Sequence, residues 1–484
     1  MKLATHRVSS TAAAGALVFT LLLSGCRVGP NYKTPAMLAP PAYSEDGHVE
    51  GWKTASPSDA QDRGDWWTVY NDAELNDLEA RCAKSNQTIE ASLHAYEQAH
   101  DLVRQTRASL FPTVSIGASG IRNRLSANKP LRPSGQQSDY WDFLVPLSIS
   151  WEPDLWGGIR RQIESSGAAA QASAADTASA RLSLQGSLAV TFMQIRGLDL
   201  QAQLLRSTLD AYTQSLQLTQ SRLKGGLATE SDVEQATAQL EETRSQLIDL
   251  GEQRAQSEHV IAVLVGTAAT GFHITEKPLT GEPPNIPTGI PSELLERRPD
   301  IAAAERRVAS ANALIGVAKA AYYPNIVLGA SGGTESDLAS RIFSSGSTEW
   351  AAGPSVNETI FDAGRRKAQV DAAIAQRAQA TAVYREQVLS AFRDVEDQLA
   401  SLRVLENETA VTAKAVKAAQ RSTELSNIRY KRGLATYLEV LTNQTIELAD
   451  ERQAASLVAR RMVASAQLQV ALGGGWNNKQ LPAN

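Results

Sequence analysis

The chain repeats itself. The stretch RLKGGLAT, Arg222 to Thr229, returns as RYKRGLAT, Arg429 to Thr436, after 429 − 222 = 207 residues. SLFPTVSIGASG (Ser109–Gly120) returns as AYYPNIVLGASG (Ala321–Gly332), and LWGGIRRQ (Leu155–Gln162) as IFDAGRRK (Ile360–Lys367). Three matches in one order mark a tandem duplication, so the fold must be two copies of one plan. The repeats run over 73–265 and 292–472. A Gly/Pro-dense linker, 266–291, separates them, and an irregular segment, 26–72, and a tail, 473–484, flank them.

Each repeat reads as a helix, a β-hairpin, a very long helix, a tight joint and another long helix. The first helices are expected at Glu74–Ser109 and Ser292–Ala321, with Asp300 capping a fresh start after Pro299. From Arg365 to Arg432 there is neither glycine nor proline. Such a helix reaches on the order of 100 Å, at about 1.5 Å per residue. Its counterpart, Ile159 to Lys224, lacks proline but carries Gly167, Gly186 and Gly197, which predict local weakness. Val388, Phe392, Val395, Leu399 and Leu402 form an apolar seam that Leu188, Phe192 and Ile195 echo. Helices of this length with alternating spacings of four and three build a rod or a tube rather than a compact bundle.

The hairpins, 112–152 and 324–361, separate those two outcomes. YWDFLVPLSISWE, Tyr140 to Glu152, alternates apolar and polar residues, and Trp141 and Trp151 bound its apolar face. That is the pattern of a strand crossing an outer membrane, with aromatic residues at both interfaces. A single strand of this pattern also fits a soluble sheet; if these strands span a membrane, four cannot close and an open edge in lipid leaves backbone groups unpaired, so the chain must then oligomerise. At four strands each, two copies give an eight-stranded barrel filled by side chains, and three give twelve strands with room for a pore. Twelve long helices around a wide channel favour three copies.

The N-terminus supplies an address. Residues 1–25 read as a signal peptide, with Lys2 and Arg7 before an apolar run too short to span a bilayer. It ends in LLLSGC, which predicts that Cys26 becomes the acylated first residue, carrying N-acyl and diacylglycerol lipid. Cys82 is then the only thiol left, so no internal disulfide forms. A net charge of −5 gives no nucleic-acid signature. None of the six histidines has metalloenzyme spacing, and there is no phosphate-cradling loop or nucleophile elbow, so neither catalytic nor metal-ligating residues are expected.

The joints carry their own chemistry. Gly226 and Gly433 sit where a helix ends in the left-handed region that suits glycine. Arg222, Lys224, Arg429 and Lys431 precede them at the negative end of the helix dipole. Thr229 and Thr436 are expected to cap the next helices, and Asp232 and Glu439 stand at capping-box spacing.

Taken together these residues resemble the TolC-like outer-membrane factors of Gram-negative export systems, in the lipidated branch that serves resistance–nodulation–division (RND) pumps. The resemblance covers essentially the whole mature chain. It rests on LSGC, on WW followed by ND and EL (Trp66 to Leu75), on the stretch Leu294–Pro324, and on IFDAGRRKAQV, AFRDVEDQLA and RYKRGLATYLEVL. It implies an α+β membrane protein: a homotrimer with a twelve-stranded outer-membrane β-barrel continued by a twelve-helix periplasmic α-barrel. It also implies a periplasmic adaptor (membrane fusion) protein and an inner-membrane RND-type transporter as partners, outer-membrane lipid around the barrel, and passive conduction of small molecules such as drugs.

By that resemblance the joints are periplasmic tips for adaptor docking, through Arg222, Lys224, Gly226, Leu227, Ala228 and Thr229 and through Arg429, Lys431, Gly433, Leu434, Ala435 and Thr436. Tyr430 matches a position linked to closed-state contacts, and Glu439 matches an acidic position that narrows the entrance. Thr442 stands where relatives place a second acidic ring, and Ala435 where some carry a basic partner. Metal-ion efflux, type I protein secretion and a structural periplasmic lipoprotein stand as alternatives.

Overall fold

The structure is a computed structural model that describes residues 27–37, 43–45, 64–126, 139–286, 297–476 and 482. Cys26 lies outside the described residues. The helices are α1 (Ala73–Ser85), α2 (Gln87–Ala108), α3 (Gly158–Lys224), α4 (Glu230–Leu264), α5 (Pro299–Ala320), α6 (Arg365–Lys431) and α7 (Tyr437–Ala471). The strands are β1 (Thr113–Ile116), β2 (Ser119–Arg124), β3 (Asp139–Trp151), β4 (Asn325–Ser336) and β5 (Thr348–Asn357).

The helix expected at Glu74–Ser109 is two helices. Asp72 caps α1, and Asn86 caps α2 by accepting from the amides of Thr88 (2.9 Å) and Ile89 (3.1 Å). Asn86 also donates to the Leu264 carbonyl (2.8 Å), which ties the break to the end of α4. In the second repeat the cap is Arg298, not Asp300. Pro299 fills the first turn, where a missing N–H costs nothing, and Asp300 turns back to pair with Arg298 at 2.7 Å. Burial pushes the Asp300 carboxyl up, but hydrogen bonding and charge from Arg298 overcome it and hold the group below its ordinary range.

Helices α3 and α6 each run unbroken for 67 residues, so the expected weakness of α3 at its glycines does not appear. The reason is close packing. A Cβ on Gly186 would lie 2.5 Å from Val470, and one on Gly197 would lie 2.5 Å from Ala459. The glycines let α7 press its side chains onto the α3 backbone, which offsets a propensity cost of about 1 kcal/mol each. Around this spine the shorter helices are stacked in two levels. Near the sheet the neighbours are α2–α3–α5–α6; further along, α4 and α7 take the flanking places beside α3 and α6. Among the described residues no helix is long and apolar enough to cross a membrane.

The sheet is antiparallel throughout: β3 pairs with β1 and β2 along one edge and with β4 along the other, and β4 pairs with β5. Strands β1 and β2 are one strand in one register, from Thr113 opposite Ser150 to Arg124 opposite Asp139. The ladder lapses between them at Pro146, which has no N–H to give, though Gly117 still donates to the Pro146 carbonyl at 3.0 Å. The outer edges of β1/β2 and of β5 have no strand partner among the described residues.

At the waist the core is packed from both ends of the sequence. Trp66, Trp67, Leu75, Leu78, Phe192, Ile195, Ile261 and Met462 form one apolar cluster. Beside it the linker is laced down by charge. Asp199, fully buried, accepts from Arg254 Nε (2.7 Å) and the Lys277 amide (3.0 Å). Glu258 accepts from the Ile274 amide (2.9 Å), and Arg196 bridges Glu74 (2.6 Å) while lying over the Phe192 ring at 4.4 Å. The N-terminal segment also runs along the outside of this layer. Val28 donates to the Trp156 carbonyl (3.1 Å), and the Ser44 and Glu45 amides reach Glu396 (2.7 and 2.9 Å).

One buried acid makes the waist pH-sensitive. Glu79 has no accessible surface, and neither carboxylate oxygen has a hydrogen-bond partner among the described residues. Burial, helped by the charge of Asp65, pushes it up to about 9. An unfolded glutamate ionises near 4.5, so stability is full below that pH and is lost as pH rises through the folded value near 9. Glu79→Gln should therefore raise the helical melting temperature at pH 8 by several degrees and leave it unchanged near pH 4.5. Parallel melting curves for the two proteins at both pH values would refute this.

Candidate functional site

The two ends of the helical layer are built differently. At the sheet end, Trp141 is half-exposed and stacks on Phe143 with ring centres 5.5 Å apart. Trp151, ten positions along β3, donates its indole N–H to the Leu110 carbonyl at 2.9 Å. The interval is about 25 Å for a strand tilted near 40°, the height of an outer-membrane apolar band. The lower ring is richer than the sequence suggested. Trp156 stacks on Tyr323 (4.9 Å) and donates to the Pro324 carbonyl (2.8 Å). These residues lie just outside the strands, where alternation gives no signal.

At the far end the two joints meet. Each long helix ends in a paired closure: Leu227 N donates to Arg222 O (2.8 Å) and Gly226 N to Leu223 O (2.9 Å), matched by Leu434 to Arg429 (2.8 Å) and Gly433 to Tyr430 (2.9 Å). Both glycines are left-handed, with φ of 72° and 75°. Thr229 and Asp232 form a complete capping box. The expected copy at Thr436 does not form, because Thr436 makes no side-chain cap. Glu439 instead takes the guanidinium of Arg429 at 2.5 Å, within the same tip.

The basic residues divide in the same unequal way. Arg429 stays at home, whereas Arg222 crosses to the other tip and donates to the carbonyl of Tyr430 (3.0 Å). Its guanidinium lies 4.6 Å from the centre of the Tyr430 ring. Tyr430 is buried against Tyr437, edge to face at 5.7 Å, and among the described residues its hydroxyl reaches only Thr219, at 3.4 Å. The ring and carbonyl of Tyr430, rather than its hydroxyl, thus make its contacts with the other tip's arginine. Lys224, Lys431, Leu227 and Leu434 are exposed, Ala228 and Ala435 half-buried. Two leucines at the very turns, 70% and 66% exposed, are an apolar contact surface left uncovered by this chain.

A long helical layer whose two joints meet at one end, with an open, aromatic-bounded antiparallel sheet at the other, is the architecture of an outer-membrane channel subunit. The chain belongs to the outer membrane efflux protein family, whose model matches residues 80–267 and 290–474. It is 31% identical over 475 residues to the toluene efflux pump outer membrane protein TtgF of Pseudomonas putida, covering 96% of each chain. It is also 31% identical over 467 residues to the outer membrane protein OprJ of Pseudomonas aeruginosa, covering 96% of this chain and 95% of that one. Its fold superposes on the outer-membrane channel OprN with a TM-score of 0.85, at 29% identity, over 93% of this chain and all of the other. The fold is thus that of the trimeric TolC-like channels, and the protein is an outer-membrane efflux channel that extends into the periplasm.

Proposed function

We propose that three copies join edge to edge, β5 of one to β1/β2 of the next, into a twelve-stranded barrel over a twelve-helix tube. The trimer is the exit duct of a tripartite pump. It conducts small organic molecules passively from an inner-membrane RND-type transporter, through a periplasmic adaptor that docks on the tips. Relatives named for toluene efflux and for pyoverdine export favour small organic cargo over metal ions or proteins. No catalytic step is assigned to the chain. Cys26 carries the acyl anchor in this reading, supported by Val28 being held beside Trp156 at the base of the strands.

The observation that carries the proposal is α3 itself. One continuous helix joins the membrane strands to a tip whose two halves are clasped through Arg222 and Tyr430. That clasp, with Glu439 held by Arg429, is the resting state of the gate. Deleting the protein from its host should raise sensitivity to hydrophobic solvents and drugs, and restoring it should reverse the change. Unaltered susceptibility together with absent conductance of the purified trimer in planar bilayers would overturn the reading.

A further inference from the structure

Directly below the lower aromatic ring, α2 and the start of α3 border a groove of about 810 Å³, within the range of ligand clefts. Its walls carry Tyr96, His100, Arg104 and Arg107 from α2 and Arg160 from α3, and Arg27 reaches it from the N-terminal segment. The charges do not cancel. Arg27 (2.8 Å) and Arg161 (2.7 Å) share the single carboxylate of Glu164. Arg104 pairs with Asp101 and Arg160 with Asp154, each at 3.0 Å. Arg107 makes no ion pair among the described residues. Four guanidinium groups, Arg27, Arg104, Arg107 and Arg160, thus line the groove, and Glu164 is the one carboxylate among its described lining residues.

Depth fixes the meaning of this surplus. Arg107 is three residues before Leu110, whose carbonyl holds the Trp151 indole, so the groove opens within one helical turn of the aromatic ring. Aromatic rings of this kind lie at headgroup level, and whatever lies just outside them is headgroup phosphate. Guanidinium groups bind phosphate bidentately and hold their charge at any physiological pH. Arg27 directly follows Cys26, the residue that carries the acyl anchor in the proposed function.

We infer that this groove binds the phosphate headgroup of an anionic phospholipid in the periplasmic leaflet of the outer membrane. The inference rests on the outer-membrane placement of the strands and needs no particular cargo. It makes the lipid a lateral brace that holds the top of α2 and the N-terminal arm at a fixed depth.

The test uses the full-length trimer, purified in detergent and titrated with phosphatidylglycerol or phosphatidylcholine under native mass spectrometry. The wild type should retain phosphatidylglycerol, up to one per subunit, and not phosphatidylcholine. Arg104→Gln with Arg107→Gln should weaken retention roughly twenty-fivefold, about fivefold for each arginine near a charged surface. Arg107→Gln alone, which breaks no ion pair, should give about fivefold and covers the case where the double variant does not assemble. Equal retention of the two lipids, equal retention by the variants, or displacement of the lipid by millimolar inorganic phosphate would each overturn the site. Closed-state conductance should be unchanged in both variants. A wild type that holds the lipid yet never conducts would defeat the duct and leave the groove standing.

Discussion

Arg222→Ala is expected to raise the resting conductance of the trimer in planar bilayers by more than tenfold. The substitution removes a charge-assisted hydrogen bond to the Tyr430 carbonyl and a cation–π contact with its ring. Such contacts contribute roughly 2–3 kcal/mol together at a partly buried site. If both exist only in the clasped tip, the closed-to-open ratio of each subunit falls by about thirty- to a hundred-and-fiftyfold. Arg222→Lys keeps the charge but loses the planar fork and should leak at an intermediate level. Tyr430→Phe should change little, because only the weak 3.4 Å contact to Thr219 is lost. Wild-type conductance in Arg222→Ala would remove the clasp from the mechanism.

The second large effect lies at the waist. Asp199→Ala should destabilise the fold by about 3–5 kcal/mol, the cost of breaking a buried charge network from one side. Arg254 and Arg196 lose a fully buried counter-ion, and the Lys277 amide loses its acceptor. Since that amide belongs to the linker, the expected readout is rapid proteolytic cleavage within residues 266–286 while the long helices persist. Asp199→Asn, which keeps an acceptor oxygen, should be cut more slowly than the alanine variant. Cleavage at the wild-type rate in Asp199→Ala would show that the linker is held by its apolar contacts alone.

Much of this architecture was legible because it rests on local rules applied twice. Proline and glycine punctuation, strand alternation bounded by tryptophan, and helices of extreme length all survive translation into structure. What stayed hidden depends on which residue meets which across the duplication. Arg222 and Arg429 are equivalent in sequence, yet the residue after one is Leu223 and after the other Tyr430. Only the second offers a ring, so only the first arginine has reason to cross. Thr229 and Thr436 likewise share a capping-box spacing, but the shorter Asp232 closes on its own turn while Glu439 is claimed by Arg429. The waist network joins residues from α1, α3, α4 and the linker, and no periodicity within one segment foretells such a meeting. Gly186 and Gly197 looked like weak points because a glycine's cost is visible in sequence and its neighbour is not.

The free edges of the sheet bear on the order of events in folding. Much of the helical layer is packed within one chain, around apolar clusters of that chain's own residues. Strands β1/β2 and β5 cannot be completed in the same way, since each offers a ladder to a neighbour. The last step is therefore a meeting of three chains, and its rate rises steeply with their local concentration. Below that concentration the subunit waits in water with its helices made and its strands unspent. In the proposed trimer, closing the barrel therefore needs a complete set of three chains, because each open edge is completed only by a neighbour.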